Sequence, residues 1–527
     1  MNVVMKRFSI IILTAYITFL SACYKDKGNY DYRDINEIKI SGLAAGYAYV
    51  LGTTLHIDPA IQMSQKDLDT AAAAYYWILY KDESTIIDTI GRSAVLDTRI
   101  VVEPAVYTLW LRVVDKATGV TYKANTKVTV STLFSIGMLL IGTDNNGNAE
   151  AEMISMVKDT IIFRNILSSS GLPGLRDPMS CMFFGGTSTN PNIARLWVMT
   201  KSGSYFLDRL TMGGNTSRKF ANICITNEIA NKEAITPVVG MPQVRDKGGA
   251  TSGGTNAWGR AVITTDGDIF ATHSLLNGGD YYANPINREA TDFSKRLKAA
   301  PYFWYAIANY GSSPSMMWYD TDNQRFMVYA NFVAANSTAP ADVAGDIFSW
   351  NLASQGRTLV YGENSRNTDN GSTNGNSFAI VKDNTGAHYI YKFYATGTAP
   401  QKRDLYTVSP IAIDFDKADF YAFSSKRTVI FYSVGNKLYA YDYNKGLEKF
   451  YQFPELSADE ITMLKFDTQI DFSTNSLYVA TYNGTTKGRL RRYNVGSNPN
   501  TVDITPVPGA DWDGMIKIKD MNWRGVN

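Results

Sequence analysis

Aromatic side chains in turn-rich loops are the residues of this sequence best suited to ligand chemistry. Flat aromatic rings can stack on the apolar faces of sugar rings, while Asp, Asn, Gln and Arg side chains bind the hydroxyl groups. Two tyrosines lie in the loop 277–285, three aromatic residues follow the same insertion, and a tryptophan lies between two aspartates near residue 512. Ligand contacts are therefore predicted, against the alternative of packing within the loops, for Tyr281, Tyr282, Trp304, Tyr305, Tyr310 and Trp512.

Recognised catalytic motifs are absent from the sequence. It has no Gly-x-Ser-x-Gly nucleophile motif, no His-Glu-x-x-His zinc motif and no glycine-rich phosphate loop. Two carboxylates suffice for glycoside hydrolysis, but the 49 acidic residues single out no pair. The sequence therefore predicts a non-catalytic protein, with a glycoside hydrolase or lyase as the alternative.

Metal ligands are sparse as well. The three histidines, His56, His273 and His388, have neither a two-histidine nor a Cys/His zinc spacing. The segments 144–150 and 320–323 place oxygen ligands as a calcium loop would, but an Asx turn explains each without an ion. We therefore predict no cofactor, with calcium as the alternative.

The first 23 residues have the pattern of an export signal. Basic Lys6 and Arg7 precede an apolar stretch from Phe8 to Leu20, which is shorter than the roughly 20 apolar residues of a spanning helix. Small residues and Cys23 follow, and this arrangement resembles a bacterial lipoprotein signal. The resemblance implies cleavage after residue 22 and lipid on Cys23, against the alternative of an ordinary signal peptide.

Charge and composition restrict the possible partners. Removing residues 1–22 removes Lys6 and Arg7 and lowers the net charge from +2 to 0, so no basic footprint for nucleic acid is present. The 33 tyrosines, 24 phenylalanines and 41 glycines favour an all-β protein with many tight turns. The sequence leaves open whether Cys181 and Cys224 form a disulfide or stay as buried thiols.

A polar tether and a first β domain follow the signal. Residues 23–34 carry no aliphatic side chain, and residues 35–132 contain about seven short strands, including those centred on Trp77 and Trp110. This density of strands predicts an immunoglobulin-like sandwich in which both tryptophans anchor the core.

The remaining residues, 133–527, repeat one type of hairpin. Two aromatic or aliphatic strands flank an Asn, Asp or Gly turn at blade-sized intervals, which predicts a β-propeller. Seven blades are expected, with six or eight left open, and Gly137–Gly142 is expected to close the ring near Met515–Ile518. Trp512 could equally close a blade. The six hairpins pair 196–200 with 204–207, 261–265 with 268–271, 316–320 with 325–329, 378–381 with 388–391, 429–432 with 437–441, and 477–481 with 490–493.

The segment Cys23–Tyr32 resembles the start of PKD-like lipoproteins of Bacteroidetes, and the strands around Trp77 and Tyr107–Asp115 agree with a PKD-type domain. That family is commonly found with SusC/SusD-type nutrient uptake systems of the outer membrane. The resemblance implies an anchored accessory lipoprotein, facing the cell exterior, with a SusC-like TonB-dependent transporter and a SusD-like lipoprotein as partners.

Together these observations predict a non-catalytic accessory subunit that binds an oligosaccharide or a peptide. The sequence does not choose between the two ligands. A surface hydrolase or lyase and a purely structural interaction subunit are the alternatives.

Overall fold

The computed structural model describes most of the chain between residues 35 and 524. Cys23 and the predicted tether lie outside the described residues. Those described are 35–65, 71–81, 85–157, 160–185, 193–243, 259–273, 280–289, 291–307, 315–330, 332, 334–456, 459–470 and 475–524. The chain divides into two compact units, 1–131 and 132–527, whereas the sequence placed the boundary between residues 132 and 133.

Unit 1 is a β-sandwich whose largest sheet has the strand order β2-β9-β8-β5-β6, with β2 parallel to β9. Two strand pairs, β1-β4 and β3-β7, complete it. Its strands are β1 (Ile38–Ser41), β2 (Gly46–Val50), β3 (Leu55–Ile57), β4 (Ala60–Met63), β5 (Ala73–Tyr80), β6 (Ile86–Gly91), β7 (Leu96–Thr98), β8 (Val106–Asp115) and β9 (Thr121–Ser131).

Side-chain alternation along β5 and β8 forms the core of this sandwich. Trp77, Leu109 and Leu111 are fully buried, and the Trp77 indole donates to Ser93 O at 2.9 Å. Trp110 points to the opposite face of β8 and is only half-buried, so the expectation that it anchors the core is wrong. The Tyr107 hydroxyl donates to Glu103 O at 2.7 Å, which resembles the tyrosine corner of immunoglobulin-like sandwiches.

Unit 2 consists of seven antiparallel sheets, among the residues that the structure describes, arranged as the blades of a propeller. Six blades have their own three or four strands; blade 4 has two strands and an irregular innermost segment, residues 299–307, bridged to it at Ala299↔Asp320 and Trp304↔Met317. All six predicted hairpins are confirmed as strand pairs of blades 2–7.

The strands and helices of unit 2 follow in chain order. Blade 1 has β10 (Gly137–Thr143), β11 (Ala149–Ser155), β12 (Ile161–Phe163) and the last strand of the chain; blade 2 has β13 (Pro178–Phe184), β14 (Arg195–Thr200) and β15 (Gly203–Leu207); blade 3 has β16 (Pro237–Met241), β17 (Gly259–Thr264) and β18 (Ile269–His273); blade 4 has β19 (Met316–Asp320) and β20 (Arg325–Tyr329). Blade 5 has β21 (Arg357–Asn364), β22 (Ser377–Asp383), β23 (His388–Tyr394) and β24 (Gln401–Thr407); blade 6 has β25 (Phe420–Phe423), β26 (Val429–Val434), β27 (Lys437–Asp442) and β28 (Lys449–Gln452); blade 7 has β29 (Glu460–Phe466), β30 (Ser476–Asn483), β31 (Lys487–Val495) and β32 (Ile504–Met515); the last strand is β33 (Lys517–Arg524). The described helices are α1 (Ile166–Ser169) and the 3-10 turns Thr216–Arg218, Phe220–Ile223, Lys232–Ala234, Ala353–Gln355, Asp369–Gly371, Phe415–Lys417 and Pro454–Leu456. None of the described helices is long and apolar enough to cross a membrane.

The ring closes where β33 pairs with β10, as the sequence predicted. The register runs from Gly137↔Arg524 to Thr143↔Lys517, with a bulge at Ile141/Gly142. A Cβ on Gly142 would lie 2.1 Å from Lys517 O, so only glycine permits this approach. Seven buried apolar clusters lie between consecutive blades, and the last of them joins Met463 and Leu490 of blade 7 to Met138 and Ile518 of blade 1.

Deleting residues 517–527 should prevent unit 2 from folding. The deletion removes buried Ile518, Met521 and Trp523, each worth about 2–5 kcal/mol, against a total stability of about 5–15 kcal/mol. Calorimetry should show the unit 1 transition alone. Deleting only residues 525–527 is the control and should retain both transitions; two transitions in the longer deletion would contradict ring closure as the source of stability.

Candidate functional site

A cavity of about 380 Å³ lies on the axis of the propeller. The innermost strand of every blade contributes to its wall, so the cavity depends on the whole ring. One lining residue from each blade, in the order of blades 1 to 7, is Asp520, Ser180, Val239, Tyr305, Glu363, Phe420 and Lys465.

One end of this channel is bridged by hydrogen bonds across the axis. The Thr468 hydroxyl, just after β29 of blade 7, donates to Gln243 Oε1, just after β16 of blade 3, at 3.1 Å. Arg366 Nε, just after β21 of blade 5, donates to Thr468 O at 2.5 Å. Since these residues follow the ends of innermost strands, the bridge lies at that end, and the starts of the strands lie at the opposite end. Lys519, near the start of β33, is exposed, as expected for that end.

Neutral polar side chains of the wall are used to join neighbouring blades. Asn364 Oδ1 accepts from Tyr305 N at 3.0 Å, and its Nδ2 donates to Phe303 O at 2.8 Å. The Ser180 hydroxyl donates to Val238 O at 2.7 Å. These groups hold the wall in place and have little hydrogen-bonding capacity left for a ligand.

A salt bridge between blades 7 and 1 and a hydrogen bond between blades 1 and 2 join these three blades in the wall. Lys465 Nζ lies 2.9 Å from Asp520 Oδ1 and donates to Met521 O at 2.6 Å. Asp520 Oδ2 accepts from Cys181 N at 3.2 Å. Both carboxylate oxygens of Asp520 therefore have a partner at the point where the ring closes.

Glu363 is the second carboxyl group of the cavity and has a different environment. Its Oε2 accepts from Phe423 N at 2.9 Å and lies 3.3 Å from the Tyr361 hydroxyl. Among the described residues, no hydrogen bond to Oε1 is formed. Burial raises the pKa of Glu363 to about 8, although the Phe423 amide, the Tyr361 hydroxyl and Lys465 act in the opposite direction. Glu363 is therefore mostly protonated at neutral pH.

Three of the predicted ligand aromatics are instead buried between secondary-structure elements. Trp304 packs between blades 4 and 5 with its Nε1 donating to Phe378 O at 2.8 Å, Tyr282 packs 5.0 Å from the Phe220 ring, and Trp512 packs in the cluster that joins blades 7 and 1. Their predicted role as exposed platforms is wrong because interfaces between blades bury large apolar rings.

The other predicted residues have different outcomes. Tyr305 lines the cavity, where its hydroxyl accepts from Gln243 N at 2.9 Å. Tyr281 is 51% exposed and its ligand role stays a prediction. Tyr310 lies outside the described residues. Sequence reasoning missed Tyr302, Tyr361, Glu363 and Phe420, which line the cavity, because polar and aromatic residues of innermost strands have no local signature of an axis.

The candidate calcium loops are Asx turns. Asp144 Oδ1 accepts from the amides of Asn146 and Asn148, both at 2.8 Å, and Asp320 Oδ1 accepts from Asp322 N at 3.0 Å. Within the described parts of the chain, no group of three or more His, Cys, Asp or Glu side chains is arranged to hold a metal ion. Cys181 and Cys224 are both buried and free, so no disulfide joins them.

The comparison with protein families concerns the N-terminal part. Residues 23–171 match the model of the PKD-like family. Unit 1 is a PKD-like domain. No curated protein matches the sequence.

Two solved structures show distant similarity to the chain. A quinoprotein alcohol dehydrogenase-like protein from Bacteroides thetaiotaomicron is 14% identical, with a TM-score of 0.37 and coverage of 92% of this chain and 97% of that chain. PorZ, a surface component of the type-IX secretion system of Porphyromonas gingivalis, is 10% identical, with a TM-score of 0.17 and coverage of 81% and 55%. The propeller assignment of unit 2 accordingly rests on its own strand topology.

Replacing Glu363 with Gln should change how stability depends on pH. The folded carboxyl keeps its proton up to about pH 8, above its ordinary pKa of 4.5, so unfolding releases a proton between these values. Stability of the wild type should therefore fall as pH rises through this window, by up to about 1.4 kcal/mol per pH unit, relative to Glu363→Gln. Urea unfolding at a series of pH values measures the difference.

The control for this substitution is Glu103→Gln, which neutralises an exposed carboxyl of unit 1. Its stability should follow the wild type at every pH. Parallel curves for wild type and Glu363→Gln between pH 4.5 and 8 would show that Glu363 is already ionised in the folded protein.

Proposed function

We propose that this protein is a lipid-anchored outer-membrane protein facing the cell exterior that captures an oligomeric nutrient for a SusC/SusD-type TonB-dependent importer. It acts as a non-catalytic accessory subunit, and its ligand is an oligosaccharide or a peptide. The observation that carries the capture role is the cavity on the propeller axis, built by all seven blades and bridged at one end.

Anchoring is supported by the N-terminal sequence. Lys6 and Arg7, the apolar stretch and Cys23 have the order that lipoprotein signals require. The match to the PKD-like family begins at residue 23, the same cysteine. With a neutral mature chain, attachment would depend on lipid rather than on basic residues.

Capture is supported by the size and lining of the cavity. A volume of about 380 Å³ falls in the usual range of small-molecule sites, roughly 300–1,000 Å³, and accommodates a unit or two of an oligomer. The rings of Tyr302, Tyr305, Tyr361 and Phe420 offer apolar contact. Weak binding suffices, because an anchored protein beside an importer raises the local concentration of ligand.

The hydrolase alternative is less well supported by the same cavity. Glycoside hydrolysis needs an acid and a second available carboxylate. Glu363 could serve as the acid, but both oxygens of Asp520 are occupied by Lys465 and Cys181 N. The cavity is not itself a surface for protein contact, so it lends no support to the other alternative, a subunit that only contacts proteins.

Replacing Cys23 with Ser should release the protein from the membrane. Without the thiol no lipid can be attached, so the variant should move from the outer-membrane fraction to the soluble periplasmic or secreted fraction. Fractionation and immunoblotting measure this, with Cys181→Ser as the matched control that keeps the anchor. A Cys23→Ser protein that stays in the outer membrane would contradict lipid anchoring.

Detergent extraction of the native protein followed by mass spectrometry should recover a TonB-dependent barrel and its lid lipoprotein. Recovery of the protein alone would contradict a stable complex with an importer.

Filling the cavity should abolish ligand retention. Val239 lines the channel, and Val239→Phe adds a ring there, so the molecules retained from polysaccharide hydrolysates and a casein digest should be lost. Val343→Phe is the control, since Val343 is 69% exposed. Ligand retention is measured by equilibrium dialysis and mass spectrometry. Equal retention by Val239→Phe and wild type, at an unchanged melting temperature, would exclude the channel as the binding site.

A further inference from the structure

Among the described residues, two charged side chains of the axial cavity form an ion pair with each other and two do not. Four of them line it: Glu363, Lys465, Lys519 and Asp520. Lys465 and Asp520 form a salt bridge at 2.9 Å. Within the described residues neither Glu363 nor Lys519 has an ion-pair partner, and Lys519 Nζ lies over the Phe420 ring, 5.6 Å from its centroid. Glu363 is therefore the one carboxyl of this cavity with no cation bound to it.

Neutral recognition groups are scarce in the same wall. The side chains of Asn364, Ser180 and Gln243 each hold another blade through hydrogen bonds. Recognising a neutral oligosaccharide requires several unoccupied donors and acceptors for its hydroxyl groups. Among the described carboxyl oxygens of the cavity, Oε1 of Glu363 is the one with no hydrogen bond, so the cavity can offer a counter-ion to a charged group.

Aromatic rings lie near this carboxyl group. The Tyr361 ring lies 5.7 Å from that of Tyr302 and 5.4 Å from that of Tyr421, while its hydroxyl lies 3.3 Å from Glu363 Oε2. A cation that binds a carboxylate beside aromatic faces gains both ion pairing and cation–π attraction. A neutral or anionic group there would gain neither.

We propose, on the basis of the proposed capture function, that the axial cavity binds a primary ammonium group, with Glu363 as its counter-ion and the rings of Tyr302 and Tyr361 beside it. The free amine of a short peptide and the amine of an amino sugar share this chemistry.

Binding involves a balanced proton transfer. The protonated carboxyl of Glu363 loses its proton to the solvent, and the carboxylate that results pairs with the incoming ammonium ion. The titratable and charged groups near Glu363 are Tyr361, Tyr302, Tyr421 and Tyr443, whose pKa values burial raises, together with Lys465 and the Asp520 bound to it; Lys519 lines the same cavity. Below both about pH 8 and the pKa of the bound amine, the affinity should therefore rise with pH, approaching about tenfold per unit, because the carboxyl must lose a proton for the ion pair to form.

Two pairs of probes test this assignment by isothermal titration calorimetry on the full mature protein. The peptide pair is trialanine amide and N-acetyl-trialanine amide, and the sugar pair is the β-1,4-linked trimer of glucosamine and that of N-acetylglucosamine. Within each pair, one member carries a charged amine and the other a neutral, acetylated nitrogen. We expect the amine member of one pair to bind at least about tenfold more tightly than its acetylated partner, and that pair identifies the source of the amine.

The Glu363→Gln variant should lose this preference, because a neutral amide cannot act as a counter-ion. Glu103→Gln, the same change at an exposed site of unit 1, should retain it. Proton release should also appear as a dependence of the binding enthalpy on the ionisation enthalpy of the buffer in the wild type, and should be lost in Glu363→Gln.

Equal affinity within both pairs, binding of none of the four probes, or an unchanged preference in Glu363→Gln would overturn the assignment. These results are distinguishable from failure of the capture function. If Val239→Phe still abolishes retention of molecules from the hydrolysates, the channel captures a ligand by other chemistry. If the hydrolysate molecules are also retained equally by wild type and Val239→Phe, the capture function itself fails.

Discussion

The pairing of β33 with β10 is the interaction on which the rest of unit 2 depends. The pairing makes β33 the innermost strand of blade 1, the first blade along the chain. Every blade therefore has a neighbouring blade on both sides. The seventh apolar cluster, between blades 7 and 1, exists only in the closed ring. Asp520 and Asn522 of β33 then accept hydrogen bonds from Cys181 N and Phe183 N of blade 2, which continues the ring from the closing strand.

The cavity is a product of the same closure. Because each innermost strand contributes a part of its wall, the volume on the axis is set by the number of blades rather than by any local motif. The salt bridge between Lys465 and Asp520 lies across the closing junction. Glu363 lies on blade 5, where the amide of Phe423 on blade 6 holds its carboxyl. Contacts between blades thus hold both carboxyl groups of the wall, Asp520 with a cation and Glu363 with a backbone amide.

Local patterns in the sequence predicted the blades well and the site poorly. Alternating apolar residues around Asn-Gly and Asp-Gly turns are local signals, and each of the six hairpins found this way is a real strand pair. The closing strand was predicted because an unpaired edge is costly. The ligand role expected for Trp304 and Trp512 is wrong, and the alternative that Trp512 closes a blade fits its place in β32. Flanking turn residues indicate a loop but do not show which ring a neighbouring blade will cover. Glu363 was missed because an acid in an innermost strand looks like any acid at a strand end until the ring defines an axis.

Closure by the last strand also has a consequence for biogenesis. The partners Gly137 and Arg524 are separated by almost the whole of unit 2, so blade 1 is incomplete until β33 has been synthesised. Contacts of such high sequence separation form slowly, and the apolar inner face of blade 1 stays uncovered meanwhile. A chain clipped before β33 would expose this face to proteases. The resistance of unit 2 to proteolysis thus depends on β33, the strand that completes blade 1.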